Sequence, residues 1–146
     1  MKTAILYYTF GGSTKKEAER LTKELNAPAH RVLEERNRGV FGSFIPGCLQ
    51  AMKRKTVKIK PLDVDLNEYD RIVIGAPVWA SFPAPAFNAM VELLPAGKEV
   101  ELYFCEGGND PLADEAGTKA LITGRGCTVA NVRYIATGEK PSKMKE

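Results

Sequence analysis

"TAILYYTFGGSTKKEAERL" (Thr3–Leu21) passes from an unbroken apolar run, through a loop of glycines and hydroxyls, into charged residues with a helical period. Thr3–Tyr8 has the continuous hydrophobicity of a strand buried on both faces of a parallel sheet. From Lys15 to Leu25, Ala18, Leu21, Thr22 and Leu25 fall on one stripe among charges. Thr14 and Glu17 have capping-box spacing, which predicts a helix starting at Ser13 or Thr14. A strand feeding a helix through a short glycine loop is the repeating unit of an α/β protein.

The unit recurs. His30–Glu34 is a short second strand, and Tyr69–Trp79 is a strongly apolar third one ending in Gly-Ala-Pro. A helix follows it, with Pro83 and Pro85 in its first turn and Phe87, Met90, Val91 and Leu94 on its buried stripe. Glu99–Cys105 reads as the fourth strand, Pro111–Thr123 as a helix ending at Gly124 or Gly126, and Thr128–Ala136 as a half-exposed edge strand. Between strands two and three, Phe41, Phe44, Ile45, Cys48, Leu49 and Met52 share a helical face that Pro46-Gly47 interrupts; for Phe41, Phe44 and Ile45 core packing is favoured over covering a substrate pocket or a subunit interface. The alternation predicts a doubly wound, five-stranded parallel sheet of order 2-1-3-4-5 with helices on both faces, forming one domain over 1–146 with 139–146 as a frayed tail.

With 146 residues the chain is long enough for one continuous core. No apolar stretch approaches about 18 residues and no signal peptide precedes the first strand, so the expectation is a cytoplasmic protein without a membrane span. The three cysteines (Cys48, Cys105, Cys127) form no C-x-x-C pair, which argues against a disulfide framework or a zinc site. The net charge of +3 is divided: residues 1–60 hold 13 Lys/Arg against 5 Asp/Glu, and residues 61–146 hold 8 against 13. The basic run Met52–Lys60 has no interleaved aromatics, so it reads as a solvated surface and no nucleic-acid partner is expected.

In a doubly wound sheet ligands sit beyond the carboxyl ends of the strands, where the winding reverses between strands one and three. The first such loop, Thr9-Phe10-Gly11-Gly12-Ser13-Thr14, has two glycines for close backbone approach and three hydroxyl donors at a helix mouth, whose partial charge of roughly +0.5 favours an anion. It lacks the lysine of a P-loop and any acid to hold magnesium, so it suits gripping a phosphate rather than transferring one; a merely capped turn is an equal reading of the loop by itself. The second loop, Ala76-Pro77-Val78-Trp79-Ala80, holds the only tryptophan, placed to stack on a flat ring for about 1 kcal/mol beyond area burial. The third, Glu106-Gly107-Gly108-Asn109-Asp110, offers two acids, which read as solvated loop groups ahead of ligand contacts, and two glycines that serve equally for close approach to a ligand or as an ordinary turn. No catalytic residue and no metal ligand is singled out: Cys105 reads as a buried thiol, and His30 lies at the opposite sheet edge.

These loops resemble those of the flavodoxin-like, FMN-binding family. Its phosphate loop, Thr/Ser-x-Thr/Gly-Gly-x-Thr, is matched by Thr9–Thr14, and its Gly-x-Pro-x-Trp…Pro-Ala-Pro stretch by Gly75–Trp79 and Pro83–Pro85. The resemblance implies FMN as cofactor, with its phosphate on Thr9–Thr14 and its ring between the Trp79 and Glu106–Asp110 loops. Ala80 stands where electron-carrying members often have a glycine, and "CEGGNDP" lacks their ring-covering tyrosine.

The resemblance therefore implies an FMN-binding redox protein that carries electrons through a non-covalent flavin, working with redox partner proteins or a small quinone-like acceptor. The alternatives are an NAD(P)H-dependent, quinone reductase-type enzyme and a flavin-free binding or regulatory domain. Tyr7-Tyr8-Thr9 in place of acids argues against a phosphoacceptor receiver, and the cysteine-free loop against a low-molecular-weight phosphatase.

Overall fold

The structure, a computed structural model, describes residues 1–35, 49, 51–107 and 111–137. The expected helical face from Phe41 to Cys48, the turn residues Gly108, Asn109 and Asp110, and the tail 139–146 lie outside the described residues. In chain order the elements are β1 (Thr3–Tyr7), α1 (Ser13–Leu25), β2 (Ala29–Arg31), β3 (Arg71–Trp79), β4 (Phe82–Pro83), α2 (Pro85–Glu92), β5 (Glu99–Glu106), α3 (Glu115–Thr123) and β6 (Thr128–Ala136).

Five parallel strands run in the order β2-β1-β3-β5-β6, which is the expected 2-1-3-4-5 winding once the two-residue β4 is set aside. One row of register partners crosses the whole sheet near its carboxyl edge: Arg31, Tyr7, Gly75, Tyr103 and Arg133. The central strands are apolar on both faces because both are covered. On one face Ala18 and Leu21 of α1 pack on Ile5, Val73 and Tyr103; on the other, Phe87 and Met90 of α2 and Ile122 of α3 pack on Leu6, Ile72, Ile74, Leu102 and Phe104. β6 is half-exposed along its length, as an edge strand is. No helix among the described residues is long and apolar enough to cross a membrane.

Several boundaries differ from the sequence reading. β2 is shorter than His30–Glu34 and begins at Ala29. Glu34 instead forms an isolated antiparallel bridge with Ile59, bringing the end of the basic run back beside the second strand. The capping box does not form: the N-cap of α1 is Gly12 at φ 96°, without a side-chain cap, and Glu17 is drawn away to Arg20 and Arg133. Pro83 belongs to β4 and not to a helix; only Pro85 occupies a first turn, with Ala84 as N-cap. β4 pairs antiparallel with the extended end of β3, Trp79 opposite Phe82, so Ala80 and Ser81 form a two-residue hairpin turn. Both have left-handed backbones (φ 51° and 69°), the condition for the turn whose twist matches a hairpin.

Candidate functional site

Because β1, β3 and β5 are parallel, their carboxyl ends bring Thr9–Thr14, Ala76–Ala80 and Glu106–Gly107 to one edge of the sheet. The chain leaves β1 with Tyr8 still bonded to β3, its N–H donating to the Gly75 carbonyl at 3.0 Å. Thr9 then closes the loop on itself: its hydroxyl oxygen accepts the Gly12 N–H at 3.0 Å. Thr9 and Thr14 are buried, while Gly11, Gly12 and Ser13 remain partly accessible.

At Gly12 the left-handed backbone turns the chain into α1, and a side chain there would meet nothing within 4 Å. The conformation requires glycine; crowding does not. Lys16 is the first amide to bond back into the helix, to the Gly12 carbonyl at 3.1 Å, so the N–H groups of Ser13, Thr14 and Lys15 lie ahead of the ladder. No acidic residue occupies this first turn. At α3, by contrast, Asp114 accepts the Gly117 N–H and Glu115 adds a second carboxylate. Side-chain carboxylates thus stand at the positive end of α3, while the first turn of α1 carries none.

Beneath the loop lies a buried contact that the sequence reading missed. The Tyr103 hydroxyl donates to the Thr14 carbonyl at 2.9 Å, from a ring with no exposure to solvent. The ring crosses β3 at Gly75, its register partner, where an added Cβ would stand 2.0 Å from the Tyr103 Cζ. Burial raises the Tyr103 phenol well above its ordinary range, so it stays a protonated donor. Arg133 lies over the ring at 5.8 Å and bonds Glu17 of α1 at 3.0 Å and Glu101 of β5 at 3.3 Å. Gly75, a glycine inside an otherwise apolar central strand, was the available signal of a close approach.

Trp79 departs from the expected stacking role. It is fully buried, with Tyr8 and Phe10 in T-shaped contact with it at centroid distances of 6.0 and 5.4 Å and interplanar angles of 80° and 88°. The physical reason is the length of β3: Trp79 is a paired strand residue at the root of the hairpin, not a loop residue with a free face. Ala76 and Pro77 are likewise buried, Val78 is half-buried, and Ala80 is exposed at the turn. The Ser81 carbonyl accepts the Ala113 N–H at 2.9 Å, and Arg54 lies over the Phe82 ring at 5.1 Å while donating to Thr118 Oγ1 at 2.9 Å. The hairpin is thereby fastened to α3 and to the basic run, whose Lys53, Lys55, Lys58 and Lys60 stay exposed.

At the end of β5, Glu106 is 7% exposed, and its Oε2 is buried with no hydrogen-bond partner among the described residues. An acceptor left so, at the same carboxyl edge of the sheet as the α1 loop, suits a ligand with an N–H or hydroxyl donor. Gly107 is partly accessible next to it. No group of three or more His, Cys, Asp or Glu suited to a metal ion occurs among the described residues. Cys105 and Cys127 are buried.

No family model matches the chain, and no curated protein matches its sequence. Solved structures do. A flavoprotein from Lactobacillus acidophilus NCFM, in complex with FMN, is 27% identical over 91% of this chain and 92% of its own, with a TM-score of 0.76. The apo-form of the flavoprotein from that organism is 27% identical, with 93% of each chain covered and a TM-score of 0.72. The two-electron reduced flavodoxin of Megasphaera elsdenii shares the fold at 17% identity, covering 97% of this chain and 93% of its own, with a TM-score of 0.57.

Proposed function

We propose that this chain, whose fold is flavodoxin-like, binds FMN non-covalently and carries electrons through it. The observation that carries the reading is the first turn of α1: a left-handed Gly12, no side-chain cap and no acid, at the carboxyl edge between adjacent β1 and β3. The similar flavoprotein that holds FMN supports it.

The residues have separate tasks. The amides of Thr14 and Lys15, ahead of the helical ladder, take the phosphate oxygens. Thr9, by accepting the Gly12 N–H, fixes the loop and keeps its own hydroxyl hydrogen for a second partner. Glu106 Oε2 takes an N–H or hydroxyl of the cofactor. Trp79 acts from behind the site, as the packing that holds Phe10 and so the phosphate loop. FMN, when bound, supplies the redox chemistry, and the protein sets where it sits and which partners reach it. A loop of neutral hydroxyls and amides leaves the phosphate charge uncompensated, which disfavours further negative charge on the ring. Redox partner proteins or a small quinone-like acceptor complete the reading.

Incubation of the apoprotein with FMN, followed by gel filtration, tests it: the flavin co-elutes at one per chain, and riboflavin is retained far more weakly. A protein that stays colourless overturns the reading. With the flavin loaded, slow reduction by NADPH and fast exchange with a protein donor mark the carrier; rapid bleaching by NADPH marks the enzyme instead.

A further inference from the structure

We propose that Tyr103 is a positioning residue for the phosphate loop: through its buried hydrogen bond to the Thr14 carbonyl it sets the height of the first turn of α1 and strengthens the donors that face the phosphate. The proposal rests on the reading of that turn as the FMN phosphate site.

The geometry is specific. Thr14 C=O and Lys15 N–H belong to one peptide unit, and Lys15 is among the three amides ahead of the helical ladder. A donor on the carbonyl polarises the unit, so its N–H becomes the better donor toward an anion. Tyr103 is well placed to do this because it is packed on every side: it is fully buried, its ring crosses β3 through the gap that Gly75 leaves, and Arg133 of β6 covers it while tying Glu101 of β5 to Glu17 of the same helix. The hydroxyl stands between strand β5 and a helix turn 89 residues earlier in the chain, where an ordinary core residue would be apolar. The bond to the Thr14 carbonyl is what offsets the desolvation cost of burying that hydroxyl. The Gly75–Tyr103 pair therefore links the third strand end to the anion-binding turn.

The test compares FMN with riboflavin, which has the same ring and ribityl chain but no phosphate. Apoprotein of the full chain is titrated with each flavin, in the natural form and as Tyr103→Phe, which keeps the ring volume; thermal melts establish that the variant is folded. The expected result is a natural protein that prefers FMN, and a variant in which FMN binding falls by about tenfold while riboflavin binding changes less than about twofold. A role in packing alone would lower both affinities together or neither, and either pattern overturns the proposal while leaving the phosphate site intact. If the natural protein binds both flavins equally, the phosphate site itself fails and the proposal with it. Tyr103→Met, which also lacks the hydroxyl, gives the same comparison if the phenylalanine variant does not fold.

Discussion

Gly12 and Gly75 are both glycines beside the candidate site, for opposite reasons, and their substitution separates the reasons. Gly12 has open space and a left-handed φ of 96°, so Gly12→Ala costs only backbone strain, about 1–2 kcal/mol. Gly75 has an ordinary backbone and no space: a Cβ there meets the Tyr103 ring at 2.0 Å, so Gly75→Ala is the more destabilising change, at or above the upper end of the roughly 1–3 kcal/mol seen for overpacking. Urea unfolding of the two variants checks the order, and equal midpoints would contradict it. The same contrast marks what the sequence made legible. Gly12 stands in a loop between two periodic segments, where a turn residue announces itself. Gly75 and Trp79 depend on which strands become neighbours: the glycine leaves room for a residue 28 positions later, and the tryptophan is covered by Tyr8 and Phe10 from another element. A single chain pattern carries no trace of either partner.

At the scale of elements, the alternation of apolar runs and helical stripes was enough to give a parallel sheet with crossover helices, while the order of its strands came with the flavodoxin-like resemblance. The hairpin after β3 was hidden because Pro83 and Pro85 both suit a helix start, and the strand partner of Pro83 is only two residues of sheet. The turn itself carries poor residues for its shape. Ala80 and Ser81 hold left-handed backbones that glycine or asparagine would adopt with less strain. Ser81→Gly relieves one of the two and is expected to raise unfolding stability by about 1 kcal/mol with an unchanged urea slope. A lower midpoint would mean that the Ser81 side chain, and not its backbone, holds the turn.

For the molecule as a whole, titration and ligand linkage give the broadest tests. Glu17 is held below the ordinary carboxylate range chiefly by its hydrogen bond to Arg20, with Arg133 adding to it, and Glu115 is lowered by the Tyr134 hydroxyl. Groups depressed in the folded state contribute stability that is present above the ordinary value near 4.5 and lost as pH falls through the lower folded one. Tyr134 is pushed up to about 12 by burial and Glu115, and Tyr103 is raised further; their contribution is full below the ordinary phenol value of 10.0 and lost as pH rises through the folded ones. The melting temperature is therefore expected to form a plateau from roughly pH 5 to 10 and to fall on both sides. Glu17→Gln should shallow the acid limb and leave the alkaline limb in place; thermal melts across a pH series read both. Added FMN should raise the melting temperature in proportion to the logarithm of its concentration, by roughly 5–10 °C at about a hundredfold excess over the dissociation constant. A melting point that ignores FMN would count against binding to the folded state. The lone indole adds a built-in optical gauge. Wedged where the first loop, the hairpin root and the core meet, it reports on that junction without any label, and its light comes from one place only. Its colour in the empty protein should be that of an oily interior, its dimming on addition of the yellow cofactor should follow loading directly, and its reddening on heating should follow the loss of the same junction.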